Sequence, residues 1–226
     1  MKRLGIIVPY RNRQDHLCRF IPHMENFFRT RSLLFKILVI EQSEGKSFNR
    51  AKLLNAGYTL ARDRFDYFCF HDVDMLPEDD SADYSWADQP THLAARASQF
   101  GYRLPYAGYF GGVTLIRRDD FEKINGFSNG YWGWGMEDDD LLWRCGLSGI
   151  ITSRRPGKFL SLPHDPGLDG SGRGEGSEEI AENRRRLMRL MKGEIDFTKD
   201  GLSDLDFRVL RGATIFQRHE LILVEI

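Results

Sequence analysis

Two acidic runs hold the chemistry that can be read from residue types alone. Asp72-Val73-Asp74 follows an apolar segment that ends in Phe70-His71. If these residues continue a strand, both carboxylates point to one face. There they can address a hard divalent cation or a ribose hydroxyl. A lone DxD is common in loops, so a solvated acidic pair is the plain alternative. The second run is Trp132-Gly133-Trp134-Gly135-Met136-Glu137-Asp138-Asp139-Asp140. Consecutive acids repel one another, so some need a cationic partner or hold their protons above the usual carboxylate range. Tryptophans spaced by glycine offer flat apolar faces on a pliable backbone, which suits stacking on a sugar ring. Two core tryptophans beside a solvated helix start are the plain alternative, and the glycines favour the carbohydrate site.

Arginines flank these runs. Arg11 and Arg13 follow Pro9 and could clamp a diphosphate or a carboxylate. Phe48-Asn49-Arg50 offers an aromatic face for a nucleobase beside a guanidinium, although Asn49 is equally an ordinary helix cap. His164, in Leu162-Pro163-His164-Asp165, becomes a metal candidate only if the fold returns it to Asp74.

The elements that must position these residues alternate. Leu4–Val8, Phe35–Ile40 and Tyr67–Phe70 are short apolar β-type runs. Gln14–Arg29 and Asn49–Asp63 have helical spacing of apolar residues. This order predicts an α/β fold with a mostly parallel central sheet and a site at the carboxyl ends of its strands. Further on, Asp79–Gln99 reads as a surface excursion, Phe110–Ile116 as a strand, Asp119–Asn125 as a short helix stopped by Gly126, and Glu137–Leu147 and Glu178–Lys192 as helices. Phe207–Leu210 and Leu221–Ile226 read as a small C-terminal β extension. Charges nearly cancel, giving a net charge of -1, which argues against bulk nucleic-acid binding. Cys18, Cys69 and Cys145 are too few and too scattered for a disulfide framework, and read as buried free thiols. Neither a signal peptide nor a membrane-spanning stretch is evident. The expectation is a cytoplasmic protein with room for peripheral attachment to the inner membrane.

In order, Ile6–Leu17, Phe48–Tyr58, Phe70–Pro77, Phe100–Val113 and Ile124–Asp140 resemble the β-1,4-galactosyltransferase family, glycosyltransferase family 7. The WGWGMEDDD and FNRAKLLN segments are the most specific, and His71-Asp72-Val73-Asp74 with His164-Asp165-Pro166 looks most like the branch that galactosylates xylose. The likeness is to a bacterial-type form without an anchor. It implies a single GT-A domain, with residues 1–80 as the nucleotide half and 81–226 as the acceptor and metal half, including a lid at 165–178. It implies Mn²⁺, a UDP-galactose donor, and inverting β-1,4 transfer to a xylose-, glucose- or N-acetylglucosamine-type acceptor. Asp74 and His164 would be metal ligands. Pro9, Arg11, Arg13, Phe48, Arg50, Asp72, Val73, Tyr109, Gly112 and Glu137 would hold the donor. Asp138 would be the catalytic base, and Trp134, Gly135 and Asp139 would meet the acceptor. Departures from the family are Ser161 and Leu162 where a further metal ligand is usual, and Gln99 where many members have a phosphate-binding lysine. Transfer of N-acetylgalactosamine or glucose into capsular polysaccharide, and a UDP-sugar-binding protein without catalysis, are the competing readings.

Overall fold

A computed structural model describes residues 1–163, 178–216 and 218–226. The chain opens with β1 (Arg3–Tyr10), α1 (Gln14–Phe28), β2 (Leu34–Gln42), α2 (Arg50–Ala61) and β3 (Tyr67–His71). Short strands follow: β4 (Met75–Pro77), β5 (Thr91–His92) and β6 (Arg96–Ala97). Then come β7 (Val113–Arg117), α3 (Arg118–Lys123), α4 (Glu137–Leu147), β8 (Ser153–Arg154), β9 (Lys158–Ser161), α5 (Glu178–Met191), β10 (Arg208–Phe216) and β11 (His219–Glu225).

Alternation along β1 explains how the layers form. Leu4, Ile6 and Val8 join one core with Leu17, Phe20 and Met24 of α1. Ile7 joins the other, with Leu53, Leu54 and Tyr58 of α2. Successive strand residues point to opposite faces, so each face of the sheet receives its own helix. Gly57 of α2 lets that helix sit close: a methyl there would come within 2.5 Å of Ile7 Cγ2.

Among the described residues, the large sheet runs β10-β11-β2-β1-β3-β7-β5-β8, and β4-β9-β6 form a second, small sheet. The pairs β11–β2, β2–β1, β1–β3 and β5–β8 are parallel, whereas β10–β11, β3–β7 and β7–β5 are antiparallel. The sheet is therefore mixed, more so than the α/β alternation predicts. The C-terminal strands extend the large sheet beyond β2. They make a hairpin whose β11 pairs in parallel with β2.

The stretch 79–99 also departs from expectation. Instead of a surface excursion it carries β5 and β6 and buries Tyr84, His92, Leu93 and Ala97. Its polar composition misleads because it packs against β7 and β9 through few residues, too short a run to show a period. The seventh strand starts at Val113 and not Phe110, since Gly112 adopts φ +82°, outside extended backbone. Cys69 and Cys145 are buried free thiols as expected, but Cys18 is exposed on the outer side of α1. No helix among the described residues is long and apolar enough to cross a membrane.

Candidate active site

Strands β1, β2 and β3 run the same way, so their carboxyl ends share one edge of the sheet. Strand β7 is antiparallel to β3, which brings its leading residues to that edge. There the Asp72 N–H donates to the Gly112 carbonyl at 2.9 Å. Helix α4 points its first turn at the same place. The chain enters it through Gly135 and Met136, both at positive φ, and the turn swings Glu137 and Asp138 inward.

A cavity of about 460 Å³ lies here. Pro9, Arg11 and Arg13 line it from the end of β1, and Phe48 and Arg50 from the start of α2. Asp72, Val73 and Asp74 come from the turn after β3, and Tyr109 and Gly112 from the loop before β7. Trp134, Gly135, Glu137, Asp138 and Asp139 complete the wall. All the residues to which the resemblance gives a donor, acceptor, metal or catalytic role meet in this cavity except His164, which lies outside the described residues, as does most of 165–178. Asp72-Val73-Asp74 does not continue the strand, because β3 stops at His71. It forms a turn in which the Met75 N–H donates to the Asp72 carbonyl at 3.2 Å. The two carboxylates still share the cavity, but through turn geometry and not strand alternation.

Arg50 organises the acids. Its Nε donates to Asp72 Oδ1 at 2.6 Å, and its Nη1 to Asp138 Oδ1 at 2.9 Å and, more weakly, to Glu137 Oε1 at 3.5 Å. Burial works against its charge, but Asp138, Asp72 and Glu137 outweigh that and raise its pKa well above the ordinary value. The acids are not fully compensated in return. Burial, followed by the neighbouring charge of Asp138, pushes Glu137 up to about 8 against the pull of Arg50. Burial also lifts Asp72 to about 6, with Asp74 and Asp138 adding to it and Arg50 opposing. Asp139 is raised by burial while accepting from Tyr106 Oη at 2.8 Å. Burial and the charge of Asp138 keep Tyr109 protonated.

The fourth acid has a different fate. Asp140 faces the interior, accepts from Arg144 Nε at 2.5 Å and from Tyr131 Oη at 2.9 Å, and anchors the helix. Its helical position, not its composition, turns it away from its neighbours. The two tryptophans separate likewise: Trp132 packs on the core and Trp134 lines the cavity. Asn49 is the cap of α2, its Oδ1 accepting from the Lys52 N–H at 2.8 Å.

Asp74 and Asp72 form a set of hard oxygens whose mutual repulsion a divalent cation would relieve, so the residues fit such an ion. Arg13 Nη1 stands 3.6 Å from Asp74 Oδ2. Among the described residues, no three His, Cys, Asp or Glu side chains gather as a metal cluster. Strand β9 does return the chain to this point: the Leu162 N–H donates to the Asp74 carbonyl at 2.7 Å, and Ser161 Oγ bonds Met75 Sδ at 3.2 Å.

Sequence reasoning missed several wall residues, including Tyr10, Phe100, Tyr106 and Met136. It also missed Gly111, where a Cβ would stand 2.6 Å from Asp138 Oδ2. Only the pairing of Gly111 with Gly112 hinted at a close approach. Tyr106 had no local signal, since its partner Asp139 is distant in sequence.

Residues 1–87 match the family model described as the N-terminal region of glycosyl transferase group 7, and residues 91–165 the one described as the N-terminal domain of galactosyltransferase. The chain is 42% identical over 215 residues to beta-1,4-galactosyltransferase 4 of Homo sapiens, covering 93% of this chain and 60% of that protein. Beta-1,4-galactosyltransferase 2 of the same species is 38% identical over 213 residues, covering 92% of this chain and 55% of the relative. The chain thus spans about 60% of the length of the first of these curated relatives. Among solved structures, the catalytic domain of Drosophila beta1,4galactosyltransferase 7 with xylobiose superposes with a TM-score of 0.84 at 29% identity, covering 100% of this chain and 94% of that one. A mutant of the same Drosophila enzyme, in complex with manganese, UDP-Gal and xylobiose, gives a TM-score of 0.82 at 28% identity, with the same coverage.

Proposed function

The chain belongs to glycosyl transferase group 7 and has its GT-A fold, and from that premise we propose that it transfers galactose from UDP-galactose to a sugar hydroxyl with inversion, in β-1,4 linkage. The observation that carries the reading is the cavity in which Arg50 gathers Asp72, Glu137 and Asp138 beside Trp134.

Residues 1–80 supply most of the donor side. Phe48 offers a face for the base, and Arg11, whose guanidinium lies over the Phe48 ring, and Arg13 face the diphosphate. Asp72 and Val73 meet the ribose end of the nucleotide. Tyr109, Gly112 and Glu137 bound the galactose, and the bulk of Tyr109 favours galactose over an N-acetylated sugar. Residues 81–226 supply the acceptor side, where Trp134 stacks on the sugar, Gly135 makes room beside it and Asp139 accepts from its hydroxyls. Asp138 takes the proton of the attacking hydroxyl as that oxygen bonds to the anomeric carbon and the bond to UDP breaks. Arg50 fixes Oδ1 of that carboxylate, and Gly111 leaves space for Oδ2. A single displacement needs no nucleophile on the enzyme, which agrees with one base and inversion. Mn²⁺, held by Asp74 and by His164, would act as a Lewis acid on the charge of the departing diphosphate. Arg11 and Arg13 add to that stabilisation from the protein side.

A donor and acceptor screen with Mn²⁺, using xylosides, glucosides and N-acetylglucosaminides, tests the reading. UDP-galactose is expected to be the best donor. Asp138→Asn is expected to lower kcat by about 10³-fold while UDP binding persists. Undiminished transfer by that variant would remove Asp138 as the base.

A further inference from the structure

One buried polar side chain outside the cavity addresses the backbone that carries Trp134. Asn183 of α5 is 2% exposed. Its Nδ2 donates to the carbonyl of Trp132 at 2.9 Å and to that of Trp134 at 3.2 Å. These carbonyls flank Gly133, at φ +73°, and Gly135 follows at φ +97°. Glycines in left-handed conformations have no side chain to lock them, so the shape of this turn depends on its partners. They act from two sides. The Gly133 N–H donates to the Phe48 carbonyl at 2.8 Å, and Asn183 takes the two flanking carbonyls. Glu179, one turn earlier on α5, fills the space beneath Gly133, where a methyl would approach its Oε2 to 2.5 Å. The other carboxylate oxygen of Glu179 bonds the Ser47 hydroxyl, next to Phe48. Trp132 is anchored on the core, whereas the Trp134 indole is 44% exposed along the cavity wall. The backbone between the two tryptophans carries that indole, and Asn183 grips it at both ends.

We propose that Asn183 is a positioning residue for the acceptor: it holds the Trp132–Trp134 turn so that Trp134 presents its ring to the sugar, an inference that rests on the transfer reading above. Asn183 has no part in the cavity wall, and its side-chain amide reaches the site through the turn.

Asn183→Asp keeps the shape and removes the donor. Acceptor KM is expected to rise about tenfold, with kcat at saturating acceptor within about threefold of wild type and the Kd of UDP with Mn²⁺ within about twofold. In protein labelled with 5-fluorotryptophan, the Trp134 resonance, identified by its loss in Trp134→Phe, is expected to shift or broaden in Asn183→Asp while that of Trp86 stays in place. An unchanged acceptor KM, or an unmoved Trp134 resonance, overturns the proposal. A parallel loss of UDP affinity also overturns it, because that reports general loosening. Should Asn183→Asp fail to fold, Asn183→Ala, which buries no charge, carries the same expectations. A wild-type protein that transfers no sugar to any acceptor would sink the transfer reading instead, and the fluorine spectra would then decide whether Asn183 holds Trp134.

Discussion

At Arg50 one guanidinium serves three carboxylates, and the remaining repulsion defines what single substitutions should do. Glu137 has its pKa raised from 4.5 to about 8, so keeping its place costs nothing below pH 4.5 and progressively more as the pH climbs to 8. Glu137→Gln should therefore raise Tm by about 2–4 °C at pH 8 and change it little at pH 5, even as transfer falls. Thermal scans at the two pH values, beside an activity assay, check both halves. Gly111 faces the neighbouring carboxylate, that of Asp138. With a Cβ placed 2.6 Å from Asp138 Oδ2 and 3.1 Å from the Tyr109 ring, Gly111→Ala must displace one of them. Its kcat is expected to fall at least ~10-fold. A loss of Tm alone, with kcat intact, would show that the carboxylate has more freedom than the geometry gives it.

Elements place these residues through contacts that local sequence does not announce. Helix α2 delivers Arg50 to the cavity because Gly57 lets it approach β1 and β2. An added methyl would meet Ile7 Cγ2 at 2.5 Å and Ile40 Cγ1 at 2.8 Å, both branched atoms in packed core. Helix propensity alone favours alanine by about 1 kcal/mol, but overpacking of this kind costs about 1–3 kcal/mol. Gly57→Ala is thus expected to destabilise the protein, and a midpoint in urea equal to or above wild type would refute the tight packing. The hairpin of β10 and β11 is tied to the sheet edge by Glu220, which bonds Arg64 and Lys36 and has its pKa lowered to about 2.

Over the whole molecule, two buried histidines make stability fall in acid. His71, buried and bonded to Tyr84 Oη, and His92, buried between the Gly111 carbonyl and Arg154, are each pushed down from 6.5 to about 4, chiefly by burial. The unfolded chain binds their protons from pH 6.5 downward while the folded one refuses them until about 4. The part of the stability that depends on these two histidines is thus complete above pH 6.5 and is lost as the pH drops toward 4, by up to ~3 kcal/mol for each histidine. His92→Gln should flatten that slope in Tm measured from pH 7 to 4.5. In the other direction, Mn²⁺ with UDP bound to the native state alone should raise Tm in proportion to the logarithm of ligand excess. No shift at saturating UDP would argue against a nucleotide in this cavity.

The alternation of β1, α1, β2, α2 and β3 was legible in the sequence because burial on one face imposes a period on neighbouring residues. Val73, Tyr109 and Gly112 were singled out only by the family resemblance, whereas Asp72-Val73-Asp74 and the Trp132–Asp140 segment were legible because glycines, tryptophans and acids at fixed spacing form unusual local patterns. Strand order, the burial of 79–99, the union of β11 with β2 and the pairing of Arg50 with acids far along the chain were not. Neither was the inward turn of Asp140, nor the grip of Asn183 on the Trp132–Trp134 backbone. Composition and spacing determined which groups could do chemistry here. Only the tertiary structure decided which acid meets which cation, because those contacts join residues that no local period relates.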